Sequence, residues 1–286
     1  MTMTMDLPAA VRAALDAPAA GERRTVEASG IPFSALTWGD PTDRPVLLLH
    51  GVTSSAATWW RVGPALAASG RRVTAIDLPG HGRTGHWQGR HRFRDTAADV
   101  AAFVRQAGLD RDDLQLIGHS WGAMTVAALP TAGIRPATIV LLDPPAVPLS
   151  FISLIASDPA QRTFDDLHES RAAVTAANPD WIAGDIEAKA EALTQLDEAA
   201  ARSVVLDNGD WDAGLAALQD PAAAGLPVWV IRGEPAAGGY LPDAAAARLG
   251  AVIGADHVMT IAGGPHSPQR THPVETTAAF LRALEA

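Results

Sequence analysis

Gly118-His119-Ser120-Trp121-Gly122 lies between two apolar runs, Leu116-Ile117 before it and Ala123-Met124 after it. A serine with glycines two residues to either side fits a sharp strand-to-helix turn, because only glycine lets the backbones pass that closely. Such a turn exposes the hydroxyl and points a helix N-terminus at the reacting centre. A serine hydroxyl is a weak nucleophile near neutral pH, so it needs a histidine base and a carboxylate to orient that base. The chemistry suggested is nucleophilic acyl transfer. Two competing patterns carry less. Gly80, Gly82 and Gly85 spell G-x-G-x-x-G after a strand-like run, but no helix begins at Gly85 to receive a pyrophosphate. His81, His86 and His91 recur every fifth residue, share no helix face and have no carboxylate placed with them, so no metal site is expected.

These residues need elements to hold them. "PVLLLHG", "RVTAIDLPG", "LQLIG" and "ATIVLLDPP" are short apolar runs closed by glycine or proline, the mark of buried parallel strands. "TWWRVGPALAASG", "RDTAADVAAFVRQAG" and "WGAMTVAALP" alternate with them and read as helices. "RTVEASGIPFSALTWG" reads as two strands around a Gly-Ile-Pro turn. From 146 to about 222 the rhythm becomes helical, interrupted by Pro159, Pro179 and Pro221, before strand and helix alternate again from "LPVWVIRG". The expected fold class is α/β, with a mostly parallel central sheet, helices on both faces and an inserted helical cap. The expected divisions are a leader with a short helix over 1–24, a core over 25–145 and 223–286, and the cap over 146–222.

Composition narrows the partners. The chain has 286 residues, of which 48% are hydrophobic and 19% charged, enough for a sizeable core. Its net charge of −10 argues against nucleic acid and anionic membrane as partners. Positive charge is nearly all arginine; Lys189 is the only lysine, which reads as a compositional bias. The absence of cysteine excludes thiol catalysis and disulfides. No signal-peptide pattern opens the sequence, so a cytoplasmic, soluble protein is expected, monomeric or homodimeric.

In this order, the motifs resemble the α/β-hydrolase superfamily over residues 25–145 and 225–286, with the insertion where that fold carries a lid. "LLLHGVTSS" resembles its oxyanion loop, and the resemblance implies the amides of Val52 and Trp121 as oxyanion donors, with His50 a structural histidine. "DLPGHGRTG" resembles a glycine loop of the same superfamily. "GGPHSPQRTHP" places His266 where the family carries its catalytic histidine; His272, beside Pro273, reads as structural or surface. The family's usual acid position, after "VWVIRG", is Ala236 here. Asp143 and Glu234 are the candidate replacements, with Asp143 preferred because some members carry their acid there. The pocket is expected to include Gly51, Trp59, Trp60, His119, Trp181 and Trp211, and the Trp121 side chain is expected to border the acyl site. Gly184, Gly209 and Gly214 are candidate hinges of the lid.

The resemblance implies a serine hydrolase that needs no cofactor and acts on a small-molecule carboxylic ester or lactone with a bulky apolar part. A peptidase of the proline-iminopeptidase kind would need acids in the pocket, such as Asp210 or Asp212. A non-catalytic small-molecule binding protein on the same fold is the alternative from a different class.

Overall fold

The computed structural model describes residues 7–86, 88–89, 91–158 and 161–286. The first six residues of the leader, Trp87 and Pro159 therefore lie outside the described residues. The chain begins with α1 (Ala9–Asp16), β1 (Glu22–Ala28) and β2 (Ile31–Trp38). Then come β3 (Arg44–Leu49), α2 (Val62–Ala67), β4 (Arg71–Ile76), α3 (Phe93–Gln106), β5 (Gln115–His119), α4 (Trp121–Ala128) and β6 (Thr138–Leu142). The central sheet runs β1-β2-β4-β3-β5-β6 and continues into β9 (Val228–Gly233) and β10 (Val258–Ile261). Pairings from β4 to β10 are parallel, and β2 pairs antiparallel with both β1 and β4. The first hairpin turns at Ser29 and Gly30, both at positive φ, and Ile31 and Pro32 already belong to β2. The turn thus falls before the expected Gly-Ile-Pro, because two consecutive left-handed residues close a tight hairpin.

The strands are apolar on both faces. Leu47, Leu49, Leu116, Ile139, Leu141 and Val230 pack against α3, α4 and α10 (Asp243–Ile253). The alternate residues Val46, Leu48, Ile117, Val140, Leu142 and Ile231 face α1, α2 and α12 (Pro273–Glu285). The two-residue alternation of a strand makes both layers from one apolar run, which is why these strands read as continuously hydrophobic. Helix α1 buries Val11 and Leu15 in the second layer, and Arg61 Nε donates to the Leu15 carbonyl at 3.1 Å. The described part of the leader is thus packed onto the core.

The insertion contains β7 (Ala146–Val147), α5 (Leu149–Ala156), α6 (Leu167–Ala177), α7 (Ala183–Thr194), α8 (Glu198–Leu206), β8 (Trp211–Asp212) and α9 (Leu215–Leu218). Phe164, Val174, Ala190, Leu193, Leu196 and Ala201 form its own apolar cluster. Its two ends are joined by the β7–β8 ribbon, which pairs Ala146 with Asp212 and Val147 with Trp211. Two-residue strands are too short to show alternation, so they leave no periodic trace in the sequence. Gly184 packs flat against the Trp60 ring, where a Cβ would collide with it, and Trp60 Nε1 donates to Asp185 Oδ1 at 3.0 Å. That glycine therefore seats the cap on the core. Gly209 and Gly214 adopt positive φ. Among the described residues no helix is long and apolar enough to cross a membrane.

Candidate active site

Ser120 follows the last residue of β5 and precedes the first of α4, with φ 55° and ψ −116°. This is a strained conformation for a residue with a Cβ. A Cβ on Gly118 would strike the Gly122 carbonyl, and one on Gly122 would strike the Leu49 carbonyl of the neighbouring strand. Both glycines are thus required by close backbone approach. The Ser120 hydroxyl lies 3.0 Å from His266 Nε2. His266 stands in the loop between β10 and α11 (Pro268–Thr271). Its Nδ1–H donates to Asp143 Oδ2 at 2.6 Å, which leaves Nε2 free to accept from the serine in the neutral imidazole.

Asp143 follows β6, is fully buried and has φ 41°. Its carboxylate also accepts the Gly233 N–H at 2.9 Å and the Tyr240 N–H at 2.8 Å. The end of β9 and the loop after it, where the resembled superfamily usually carries its acid, here supply amides to an acid that follows the neighbouring strand. Glu234 faces elsewhere: its Oε2 accepts the Gly263 N–H at 2.7 Å, bracing the start of the histidine loop. His272 shares a 2.9 Å contact with the Thr271 hydroxyl and does not line the cavity. The Tyr240 ring stacks on His266, with centroids 3.8 Å apart and planes at 16°. The sequence reading did not single out Tyr240, because nothing near it in the chain announces that contact.

His50 and His119 secure the backbone around this centre. His50 Nδ1–H donates to the Gly51 carbonyl at 2.8 Å, and Nε2 accepts the Leu78 N–H at 2.9 Å. Burial pushes its pKa down to about 4. His119 Nε2–H donates to the His266 carbonyl at 2.8 Å, and burial, with His266 adding to it, holds His119 well below the usual histidine range. His81, packed against the Trp121 ring at 4.8 Å, is pushed down to about 3, chiefly by burial. Each of these folded-state pKa values lies below the unfolded value of 6.5, so unfolding takes up protons as pH falls below 6.5. Their stabilising contribution is complete above pH 6.5 and is lost on descending through the folded values. Asp99, raised to about 6 by burial and Asp95, and Asp185, raised by burial, act in the opposite sense. The three histidines are expected to outweigh these two carboxylates, so stability falls as pH drops below 6.5. Urea unfolding between pH 6.5 and pH 4 checks this; stability that is flat or rises on acidification contradicts it.

The amide of Trp121 is the first of α4 and so has no intrahelical acceptor. Val52 follows Gly51, whose α-carbon sits so close to Ser120 that a Cβ there would lie 3.0 Å from the serine Cβ. The next residue, Thr53, has φ 59° and is held by the cap: Lys189 Nζ donates to its carbonyl at 2.8 Å and to its hydroxyl at 2.7 Å.

A cavity of about 710 Å³ lies over Ser120 and His266, between core and cap. Gly51, Val52, His119, Trp181 and Trp211 line it. Trp59 and Trp60 do not. Trp59 is fully buried beside Phe280, with ring centroids 6.4 Å apart, and Trp60 reaches Asp185. Consecutive residues on one 3₁₀ turn point in different directions, and here neither direction meets the cavity. The Trp121 ring is likewise buried against His81, away from the acyl site. Asp210 and Asp212 cap backbone amides of Leu149 and of Gly214 and Ala216. Neither lines the cavity. Among the described residues no group of His, Asp and Glu is arranged to hold a metal ion.

A family model described as alpha/beta hydrolase fold matches residues 44–178. Epoxide hydrolase B of Mycobacterium tuberculosis is 33% identical over 128 residues, 43% of this chain and 35% of that protein. A non-heme haloperoxidase of Rhodococcus erythropolis is 38% identical over 90 residues, 32% of this chain and 31% of that one. The chain thus spans about a third of the length of these curated relatives. Among solved structures, E-2-(acetamidomethylene)succinate hydrolase superposes with a TM-score of 0.79 at 21% identity, covering 93% of this chain and all of that one. The enol-lactonase from Burkholderia xenovorans superposes with a TM-score of 0.70 at 16% identity, covering 92% and 100%. At these identities the structural likeness speaks for the fold. Family model, strand order and the strand-turn-helix around Ser120 agree, and the chain has the α/β-hydrolase fold.

Proposed function

We propose that the protein is a serine hydrolase that cleaves a carboxylic ester or lactone through an acyl-enzyme on Ser120. The observation that carries this reading is the unbroken hydrogen-bond chain Ser120–His266–Asp143, at 3.0 Å and 2.6 Å, on the floor of the cavity. His266 Nε2 takes the proton as Ser120 Oγ attacks the carbonyl carbon. The N–H groups of Val52 and Trp121 hold the resulting oxyanion. The C–O bond to the leaving group breaks, and His266 returns its proton to the departing alcohol. Water then attacks the acyl-enzyme, losing its proton to His266, and the acid leaves as Ser120 is restored. Asp143 keeps the imidazole in the Nδ1–H tautomer and stabilises its cation. These steps use the chain's own side chains and water. Trp181, Trp211, Ile152 and Val205 on the cavity wall suit a bulky apolar part of the substrate.

The acyl-enzyme is tested by partitioning. Phenyl and p-nitrophenyl esters of one acid are hydrolysed with methanol present, and the ratio of free acid to methyl ester is measured. A common acyl-enzyme gives the same ratio for both leaving groups. A ratio that changes with the leaving group overturns the covalent route.

A further inference from the structure

The cavity wall is basic although the protein is acidic. Among the described residues Arg162, Lys189, Arg202 and Arg270 line it, against one carboxylate, Glu198, with Arg162 itself paired to Glu169; the whole chain carries −10. Cations concentrated in a cleft focus the field inward and draw in anions.

Arg270 is the unusual member. It stands four residues after His266 and is 7% exposed. Its guanidinium lies over the Trp181 ring, 4.3 Å from the centroid. Among the described residues it donates to only two acceptors, the Asp185 carbonyl at 3.2 Å and the Thr58 hydroxyl at 2.9 Å, and neither is charged. Its Nε–H is buried without a partner. Asp185 contributes field but its carboxylate makes no ion pair with Arg270 among the described residues. Burial lowers Arg270 only to about 10, so it stays charged at neutral pH. A buried guanidinium with more donors than acceptors is costly unless an anion completes it. Lys189 is also buried, and burial, with Arg270 adding to it, holds its pKa well below the usual lysine range. Its three bonds go to Thr53 and Gln161. Arg202 is exposed and makes no ion pair among the described residues.

Resting on the hydrolase reading above, we infer that the substrate carries a carboxylate besides its scissile bond, and that Arg270 binds this carboxylate in the cavity, with Arg202 helping to draw it in. The planar, forked guanidinium suits a carboxylate, and the apolar wall residues leave room for the carbon chain between carboxylate and ester.

The test uses monomethyl esters of linear dicarboxylic acids of several lengths, each paired with the ester whose free carboxylate is a carboxamide. For at least one length, kcat/KM is expected to favour the acid by roughly 10-fold or more, mainly through KM. Arg270→Gln is expected to bring that ratio near one, and Arg202→Ala, at an exposed position, to lower it partially. A second arm titrates Ser120→Ala with the corresponding diacid and diamide, followed by tryptophan fluorescence, with Trp181→Phe as the reporter control. Saturable binding of the diacid alone, lost in Arg270→Gln, is expected. Turnover without preference for any acid, together with no diacid binding, overturns the inference while leaving the hydrolase reading intact. If no ester turns over, that reading fails, and the binding arm alone decides whether the cavity holds a carboxylate.

Discussion

Ser120→Ala is expected to lower kcat for ester hydrolysis by about 10⁴-fold or more, with little change in stability. The size follows from the mechanism. Without Oγ no acyl-enzyme forms, and what remains is water attack assisted only by the oxyanion donors and binding. The fold is expected to tolerate the change because Ser120 holds its turn through its backbone. Its N–H donates to the Leu142 carbonyl at 3.0 Å, and the glycines at 118 and 122 clear the space. Alanine retains the Cβ that this φ already accommodates. Steady-state kinetics with a chromogenic ester and a urea melt check both halves. A residual rate within about 10-fold of the unmodified protein would mean that another group attacks the carbonyl.

Asp143→Asn carries the second large effect, about 10⁴-fold in kcat. An asparagine fits the same buried space; with its oxygen in the Oδ1 place it keeps the Gly233 amide, while its NH₂ takes the Oδ2 place that accepts from both Tyr240 N–H and His266, and the Tyr240 bond is lost. Its NH₂ then faces His266 Nδ1, which must become the acceptor. The proton moves to Nε2, and the imidazole can no longer take the serine proton. Glu234→Gln retains an oxygen for the Gly263 N–H and is expected to change kcat by less than about 10-fold. The two variants measured side by side assign the acid. Equal losses would show that the brace on the histidine loop matters as much as the carboxylate beside the imidazole.

The ambiguity between those two acids has a structural origin. Strands β6 and β9 are neighbours in register, Leu142 opposite Ile231, so Asp143 and Glu234 leave the sheet at the same end. The sequence can place both there. It cannot show that the backbone turns at positive φ at Asp143 and carries that carboxylate to His266, 123 residues away. Ser120 was legible because its whole signal is local: glycines, a preceding strand and a following helix within a few residues. The alternation of apolar runs made the sheet and its covering helices legible for the same reason. Pocket lining was legible only in part. Trp181 and Trp211 do line the cavity, whereas the adjacent Trp59 and Trp60 go to the core and to Asp185. Composition alone cannot separate those directions. Lys189 read as a compositional oddity, yet it ties cap helix α7 to the loop carrying Val52. Arg270 offered no local motif, and its meaning emerges only from burial with too few acceptors.

Labelling with a fluorophosphonate, mapped by peptide mass spectrometry, reads out whether Ser120 is an activated nucleophile. Activation of Ser120 by His266 and Asp143 predicts one adduct per chain on Ser120, abolished in Ser120→Ala, strongly slowed in Asp143→Asn and nearly unchanged in Glu234→Gln. A folded protein that takes no label, or takes it at another residue, would rule out Ser120 as the activated nucleophile.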